Sequence, residues 1–393
     1  MVHDLLSGLD EEFKNLFKVR ADFDFEMDRT AESVALYAGF IRSRVDQCGL
    51  LHFDRSAIAE VVEYGSRLLE HQGRLSTRFL DIADLVTEAS YWGEKAGSDC
   101  VVAEHVQRAI SERDFRSSQV RDKLQRAIKE GLIKIGTEGR VVGQVNGLSV
   151  LQASGYTFGV PSRISARVAP GQSGVVDIER ETAMSGRIHS KGVLVLAGYL
   201  AGKYAQDMPL GLAASLTFEQ MYNDVDGDSA SGAELCCLLS ALSCVPLDQG
   251  IAVTGSVDQN GDVQAVGGVQ YKIEGFFDIC RAKGLTANQG VVIPASNVSH
   301  LMLRSDVVDA VRQGQFHIYA VTHIDEVLEL LTGAEAGVLQ ADDSFPTGSV
   351  NQRVRDRLRY FAERLSMFAS GKMAHSRNGH TGRAVAIGEG GAA

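Results

Sequence analysis

The sequence lacks the features typical of membrane proteins, of general nucleic-acid binders and of metalloproteins. No apolar run in its 393 residues reaches the roughly 18 to 20 residues that a helix needs to cross a bilayer. The formal net charge of −11 leaves no excess of cations to neutralise phosphates, which argues against a general nucleic-acid binder. No cluster of His, Cys and Asp has ligand spacing, so no metal site is predicted.

Cysteine spacing and the N-terminus exclude two further classes of protein. The six cysteines lack zinc-finger spacing and three of them fall in one apolar segment, which is typical of buried free thiols in a reducing compartment. The opening residues, MVHD, lack the basic and apolar regions of a signal peptide. Both observations predict a cytoplasmic protein.

The first 118 residues carry four apolar stripes at helical spacing, which predict a small helical bundle. The stripes are Val34, Tyr37, Ile41 and Val45, then Ile58, Val61, Val62, Leu68 and Leu69, then Ile82, Leu85, Val86 and Ala89, and last Val102, Val106 and Ile110. A charged helix over 119–134 is predicted within a connector at 119–138.

Strands and helices are interspersed over residues 139–335, which predicts a mixed α/β (α+β) domain. Strands are predicted at 141–145, 163–168, 174–178, 251–257, 290–293 and 317–321, and helices at 193–204, 230–243, 270–283 and 325–331.

The tail, 336–393, has one apolar stripe between residues 350 and 368 with arginines around it. Such a helix either caps the α/β domain or docks against another subunit. From residue 371 onward the composition indicates disorder.

A serine lies between small and acidic residues directly before an apolar segment. The sequence reads DGDSAS at 226–231, and the helix predicted after it is apolar nearly all round, so it should be buried. The first N–H groups of a helix have no intrahelical partner and can stabilise a tetrahedral oxyanion. Taken alone, Ser229 is more simply explained as a helix N-cap. Its assignment as a nucleophile depends on a second motif.

That second motif is GGVQYK at 267–272, which places a lysine early in another predicted helix. Lys272 lies at the edge of this helix's apolar face, whereas Asp278 lies on the far side. Lost hydration favours the neutral amine, which can take a proton from a serine without any histidine. The alternative is a lysine whose amine extends to solvent.

The two motifs together resemble the serine–lysine dyad of the Lon protease family. The family signature is an acidic residue, Gly, a variable residue, and then the nucleophilic Ser, Ala and a small residue. The lysine follows 43 residues later in a Gly-Gly-x-x-x-Lys context. Asp228, where many Lon proteases carry proline, resembles the LonB-like subgroup. VTGSV at 253–257 and VVIPASN at 291–297 extend the resemblance over roughly residues 140–335.

The resemblance implies a serine endopeptidase for unfolded or damaged proteins, with Ser229 as nucleophile and Lys272 as general base. Thr254 matches a family threonine near the lysine, Asp226 an acidic residue at the mouth of the site, and Glu179 a strand glutamate close by. The resemblance also implies a homo-oligomer, a hexameric ring, and ATP as cofactor.

The ATPase part of that resemblance is incomplete. The first 118 residues resemble the helical lid of a LonB-like AAA+ module, and LSTR at 75–78 resembles the segment that carries its sensor-2 arginine, here Arg78. Arg78 could equally be a surface arginine. No Gly-x-x-x-x-Gly-Lys-Ser/Thr loop is present, so no nucleotide site is expected within this chain. The chain thus resembles the C-terminal half of a longer protease, a truncated product or a fragment, with a separate ATPase half as a candidate partner.

Two other functions remain to be compared with proteolysis. A non-catalytic regulatory or substrate-binding remnant would join a Lon-like ring through its lid and its arginine-rich tail helix, but the presence of both dyad residues favours the enzyme. A Ser-His-Asp hydrolase is disfavoured because His189 and His300 have no triad context and no Gly-x-Ser-x-Gly elbow surrounds Ser229. Cleavage specificity and oligomeric state do not follow from the sequence.

Overall fold

The computed structural model describes residues 2–153, 155–222 and 224–370. The described residues form two compact units, the first within residues 1–116 together with 299–302 and the second made of the other described residues. Disorder was predicted from residue 371 onward, and that segment lies outside the described residues. Over the described ranges, no helix has both the length and the apolar character needed to span a membrane.

The first unit is mainly helical, and the four predicted helices are present. Its elements are α1 Val2–Leu9, α2 Phe13–Leu16, β1 Glu26–Asp28, α3 Ala31–Cys48, α4 Arg55–Arg67, β2 Arg74–Ser76, α5 Phe79–Lys95 and α6 Ala103–Ser117. Helix α3 begins with a capping box at Thr30, and α4 begins where the Asp54 carboxylate accepts the N–H of Ala57. The antiparallel pair β1 and β2 was not predicted, because three-residue strands are too short to show a period of two.

The predicted stripes of α3, α4 and α5 meet in one core. Tyr37, Ile41, Val61, Ile82 and Leu85 are all buried in it. Burial of these side chains, rather than helix propensity alone, holds the unit together.

The second unit combines helices with a seven-stranded sheet and two short two-stranded sheets. Its helices are α7 Gln119–Lys129, α8 Ile178–Glu181, α9 Arg187–Tyr204, α10 Ser231–Ser243, α11 Val269–Lys283, α12 Ser305–Arg312, α13 Ile324–Thr332 and α14 Val350–Ala369, with a 3₁₀ helix at Ala295–His300. Its strands are β3 Arg140–Val141, β4 Gln144–Ala153, β5 Tyr156–Pro170, β6 Gly174–Asp177, β7 Leu212–Glu219, β8 Leu247–Asp248, β9 Ile251–Val253, β10 Ser256–Val257, β11 Val263–Gln264, β12 Gly290–Pro294 and β13 His317–Val321. The two short sheets pair β3 with β8 and β10 with β11.

The large sheet has the strand order β13-β12-β9-β4-β5-β7-β6. Strands β4, β5 and β7 pair antiparallel, whereas β9, β12 and β13 run parallel, as do β6 and β7. The predicted mixed α/β fold class is therefore confirmed. The mixed pairing brings the end of β9 beside α10 and α11, which carry the two motifs.

Several predicted boundaries were wrong. Strand β7 was missed, although Leu212, Ala214, Leu216 and Phe218 alternate along it and face the core. The helix predicted over 119–134 ends at Lys129. The strand predicted over 251–257 is broken in two because Thr254 and Gly255 leave the sheet. The strand predicted over 141–145 is likewise two strands, with a glycine turn between them.

Helices α10 and α11 are both enclosed, α10 as its pattern predicted and α11 more completely than its pattern predicted. Helix α10 is buried nearly all round, as predicted. Helix α11 was predicted to be amphipathic with Asp278 on its far side, but that side is also covered and Asp278 is only 8% exposed. Its carboxylate is instead paired with Arg304 and Arg281. A buried charge requires such partners, and the periodicity of one helix cannot reveal them.

Helix α14 packs within the second unit through the first part of the predicted stripe, whereas Phe368 at its end is exposed. Val350, Val354, Leu358 and Phe361 join the core that also contains α10. Of the two interpretations of the tail helix, capping of the α/β unit is the one that the structure supports for this face.

Candidate active site

Ser229 and Lys272 meet at the N-terminal ends of two helices. Lys272 Nζ donates a hydrogen bond to Ser229 Oγ at 2.9 Å, and the lysine side chain is only 3% exposed. Ser229 lies two residues before α10, and Lys272 lies in the first turn of α11, where its N–H donates to the carbonyl of Gly268. The fold therefore joins the two sequence motifs at hydrogen-bonding distance.

Thr254 completes a small hydrogen-bonded group with the same two residues. Its Oγ1 accepts a hydrogen bond from Lys272 Nζ at 3.2 Å and donates one to the Ser229 carbonyl at 3.2 Å. The same carbonyl accepts the N–H of Gly255 at 2.9 Å. Because Thr254 follows β9 and its N–H donates to Val292 of β12, the sheet itself fixes this group.

The turn that carries Ser229 is held against the start of α9. Asp226 Oδ1 accepts the N–H of Gly227 at 2.8 Å and that of Ile188 at 3.2 Å. These N–H groups, Gly227 first, lower the pKa of the Asp226 carboxyl. Gly227 has φ +94°, a conformation that favours glycine, so the turn depends on this residue. Asp226 is thus an anchor of the turn.

Close backbone packing sets the position of Lys272. A Cβ added to Gly275 of α11 would meet the Gly159 carbonyl of β5 at 2.2 Å, and a Cβ on Gly159 would meet the Tyr271 carbonyl at 2.0 Å. Only glycine at both positions allows the helix and the strand to approach this closely. The Lys272 amine consequently reaches Ser229.

Two backbone N–H groups at the nucleophile turn are open. The N–H groups of Ser229 and Ala230 have no hydrogen-bond acceptor among the described residues, whereas that of Ser231 donates to the Asp228 carbonyl. Their place at the start of α10 adds the positive end of the helix dipole. They are therefore free to donate hydrogen bonds to a bound carbonyl oxygen.

A polar cavity of about 340 Å³ adjoins the turn. It is lined by Lys191, Gly192, Val195, Asp228, Ser256, Val257, Asp258, Gln259, Asn260 and Gln264. Ser256 Oγ donates to Asp228 Oδ2 at 3.1 Å, which fixes one wall. A side chain of a bound peptide could enter this cavity next to Ser229.

The two remaining predicted residues have other surroundings. The expectation of a strand glutamate was wrong for Glu179, because β6 ends at Asp177 and Glu179 lies in the short helix α8 that follows. Its Oε1 accepts hydrogen bonds from Thr217 Oγ1 and Phe218 N of β7, both at 2.8 Å. Arg78 belongs to the first unit, where it is exposed before α5 with its guanidinium 5.7 Å from the Phe25 ring centroid. A nucleotide role for Arg78 stays a prediction.

One group of residues was missed by the sequence analysis. His189 Nε2 lies 3.3 Å from Asp177 Oδ2 and 3.6 Å from Glu234 Oε1, and all three side chains are at most 2% exposed. The signal that could have revealed it is Glu234, a carboxylate in a helix that is otherwise apolar. The sequence analysis considered His189 only as a member of a Ser-His-Asp triad. The hydroxyl of Ser229 is hydrogen-bonded to Lys272 and not to His189.

Two known family models match this chain, one in each of its units. Residues 52–116 match the family model described as the AAA+ ATPase lid domain of archaeal LonB. Residues 223–333 match the C-terminal proteolytic domain of Lon protease (S16). The second range contains Ser229, Thr254 and Lys272.

Individual relatives agree with these models. A Lon protease homolog of Escherichia coli is 46% identical over 235 residues, covering 59% of this chain and 40% of the relative. One from Haemophilus influenzae is 36% identical over 330 residues, covering 83% and 54%. The archaeal Lon protease of Archaeoglobus fulgidus is 31% identical over 306 residues, covering 77% and 46%. The chain spans about half the length of these curated relatives.

The helical first unit thus contains a LonB-type lid domain, and the mixed α/β second unit contains a Lon-type proteolytic domain. The chain belongs to the Lon protease family, and it resembles the LonB-like members over their C-terminal half.

Proposed function

We propose that the chain is a serine endopeptidase in which Ser229 is the nucleophile and Lys272 the general base. The observation that carries this proposal is the 2.9 Å contact between Lys272 Nζ and Ser229 Oγ in a site where the lysine is 3% exposed. Burial disfavours the charged amine, and a neutral amine can accept the hydroxyl proton.

The proposed reaction has two proton-balanced halves. Lys272 takes the proton of Ser229 as Oγ bonds to the peptide carbonyl carbon, and the ammonium then gives that proton to the departing amine as the C–N bond breaks. A water molecule attacks the resulting ester while Lys272 takes its proton, and the proton returns to Ser229 as the acid product leaves. The lysine ends each cycle neutral, as it began.

The other residues of the site have supporting roles in this proposal. Thr254 keeps the amine directed at Ser229 Oγ, because its own hydroxyl is fixed by the Ser229 carbonyl. The open N–H groups of Ser229 and Ala230 would stabilise the oxyanion. The polar cavity beside Asp228 would hold a substrate side chain.

We propose unfolded or damaged proteins as substrates, a hexameric ring as the assembly, and dependence on ATP only through a motor outside these 393 residues. The supports are membership of the Lon family and a sequence without a phosphate-binding loop. Light scattering during size-exclusion chromatography tests the assembly, because a hexamer has six times the 42.3 kDa mass of the chain.

Casein cleavage tests the chemistry. The wild type is incubated with and without ATP beside Ser229→Ala, Lys272→Ala and Lys272→Arg. Arginine keeps a cation but does not become neutral in proteins, so it separates the role of a base from that of a charge. Lys283→Arg, at the exposed end of α11, is the matched control. We expect cleavage without ATP that is lost in all three dyad variants and kept in the control. Activity that survives in Lys272→Arg would contradict the lysine as base.

A further inference from the structure

Four ionisable side chains form a buried cluster beside the nucleophile turn. They are Asp177 at the end of β6, Glu179 in α8, His189 in the first turn of α9 and Glu234 in the first turn of α10, none more than 5% exposed. Hereafter these four residues are called the acid–imidazole cluster. The mechanism proposed above uses none of them for bond making.

Several polar atoms of the cluster are buried but make no hydrogen bond within the described part of the chain. Asp177 Oδ2 and His189 Nε2 lie 3.3 Å apart as an ion-pair contact, and neither of these atoms, nor Glu179 Oε2 or Glu234 Oε2, makes a hydrogen bond of standard geometry among the described residues. No three His, Cys, Asp or Glu side chains in residues 2–153, 155–222 and 224–370 are arranged to hold a metal ion. Three carboxylates against one imidazolium would leave uncompensated buried negative charge, which is costly. Protons must therefore neutralise part of the cluster.

The surrounding elements supply little further charge. Strand β7 offers only neutral donors to Glu179, the Thr217 hydroxyl and the Phe218 N–H. Asp226 faces His189 from the turn. The buried thiol of Cys237 interacts electrostatically with Glu234 and with Arg167 of β5.

The cluster is joined to the nucleophile turn by backbone hydrogen bonds. Gly186 N donates to the Val225 carbonyl at 2.7 Å, and Val225 N donates to the Met184 carbonyl at 2.8 Å. The N–H of Ile188, in the first turn of α9, also donates to the carboxylate of Asp226, three residues before Ser229. Glu234 lies five residues after Ser229, and its N–H donates to the Ala230 carbonyl at 2.9 Å. If the distance between His189 and Glu234 changes, these hydrogen bonds carry the change to the turn that contains Ser229.

We infer that His189 and Glu234 are positioning residues, whose shared protons hold α9 and α10 together around the Ser229 turn and whose deprotonation loosens it. The inference rests on the proposed function for its effect on activity. Its effect on the turn itself can be measured without any activity.

The direction of the pH effect follows from the burial of the cluster. Burial raises the pKa of Glu234 to about 7, and the carboxylates of Asp177 and Glu234 raise that of His189 against the opposing effect of burial. The pKa values of Glu234 and His189 are therefore both higher in the folded state than in the unfolded chain. Their contribution to stability is therefore fully present at acid pH and is lost as the pH rises through these values.

Hydrogen–deuterium exchange of the full chain tests the loosening. Wild type and Glu234→Gln, which mimics the protonated acid, are compared at the same pH so that intrinsic exchange rates cancel. At pH 6 the two should match over residues 184–190 and 225–231. At pH 8.5 the wild type should exchange faster there. Glu181→Gln, on the exposed side of α8, should follow the wild type at both values. Equal exchange in wild type and Glu234→Gln at both pH values would overturn the inference.

Casein cleavage adds a second readout. The ratio of kcat in Glu234→Gln to kcat in wild type should rise about tenfold between pH 6 and pH 8, because a group with a pKa near 7 loses most of its protons over that range. A constant ratio would overturn the inference. Failure of the wild type to cleave at any pH would instead contradict the proposed function, while exchange would still decide the role of the cluster.

A second variant covers the case in which Glu234→Gln does not fold. His189→Gln removes the imidazole, whose positive charge lowers the pKa of Glu234, so Glu234 should keep its proton to a higher pH. The rise in exchange over residues 184–190 and 225–231 should therefore begin at a higher pH than in wild type. His189→Gln with wild-type exchange at every pH would overturn the inference.

Discussion

Thr254 Oγ1 lies 3.2 Å from Lys272 Nζ and 3.2 Å from the carbonyl oxygen of Ser229, so a single hydroxyl bridges helix α11 and the turn before α10. The bridge comes from the end of β9, an interior strand of the seven-stranded sheet. The orientation of the amine is therefore set by the sheet as well as by α11.

Thr254→Val should lower kcat by about 10- to 100-fold, the loss typical of a slightly misplaced catalytic group. Valine has nearly the same shape and fits the buried site, but it offers no hydroxyl to either partner. Thr254→Ser keeps the hydroxyl and is the control. Cleavage rates and thermal unfolding of both variants are the measurement, and a valine variant as active as wild type would exclude this role for the bridge.

Asp226→Ala should reduce cleavage more than Asp226→Asn does. Alanine removes the acceptor for the N–H groups of Gly227 and Ile188, whereas asparagine keeps one side-chain oxygen in place. Because the carboxylate form is favoured in the folded state, the anchor should persist above the usual pKa and weaken as pH falls through its lowered value. The check is kcat and KM for both variants between pH 4 and 8. Equal losses would show that charge, not the hydrogen bonds, matters at this position.

Gly275→Ala should destabilise the second unit by about 1–3 kcal/mol or more, because its Cβ would overlap the Gly159 carbonyl. Activity should fall as well, since Lys272 lies one turn earlier on α11. Gly202→Ala in α9 has nothing within 4 Å of the added Cβ, so it should be neutral or slightly stabilising. Chemical denaturation of both variants gives the comparison, and a Gly275→Ala protein as stable as Gly202→Ala would mean that helix and strand can separate freely.

Tyr37→Phe should destabilise the first unit by about 1–3 kcal/mol. The Tyr37 hydroxyl donates to the buried Ser76 carbonyl, which phenylalanine would leave without this donor. Trp92, the single tryptophan of the chain, lies in this unit and its fluorescence reports the unfolding. Tyr91→Phe, at an exposed position, is the control and should leave the midpoint unchanged.

Titration of Tyr37 gives an independent check of the same burial. Burial raises the pKa of its hydroxyl to about 12, so ionisation is disfavoured in the folded state. The associated stability is present below pH 10 and is lost as the pH rises towards 12. Absorbance of tyrosinate in wild type and Tyr37→Phe should therefore differ only at the alkaline end. Ionisation of Tyr37 near pH 10 would contradict the packing of this core.

Predictions from local pattern succeeded where one periodic segment contained all the information. The stripes of α3, α4 and α5, the all-apolar α10 and the first part of the α14 stripe, Val350 to Phe361, repeat at helical spacing and supply buried residues to the two cores. The end of the α14 stripe is different, because Phe368 is 65% exposed. Pattern failed where pairing across the sheet decides the structure. Strand β5 runs far beyond the predicted 163–168 because β4 and β7 pair with it along most of its length.

The sequence by itself determined the family, the helical and mixed α/β parts, and the two motifs at 226–231 and 267–272, because those depend on residue types and spacings along the chain. Only the tertiary structure placed Lys272 Nζ at 2.9 Å from Ser229 Oγ and put His189 between Asp177 and Glu234. Distances between side chains far apart in sequence depend on how strands pair and how closely backbones approach. A glycine such as Gly275 allows that approach, but its spacing in the sequence does not say which strand it will meet.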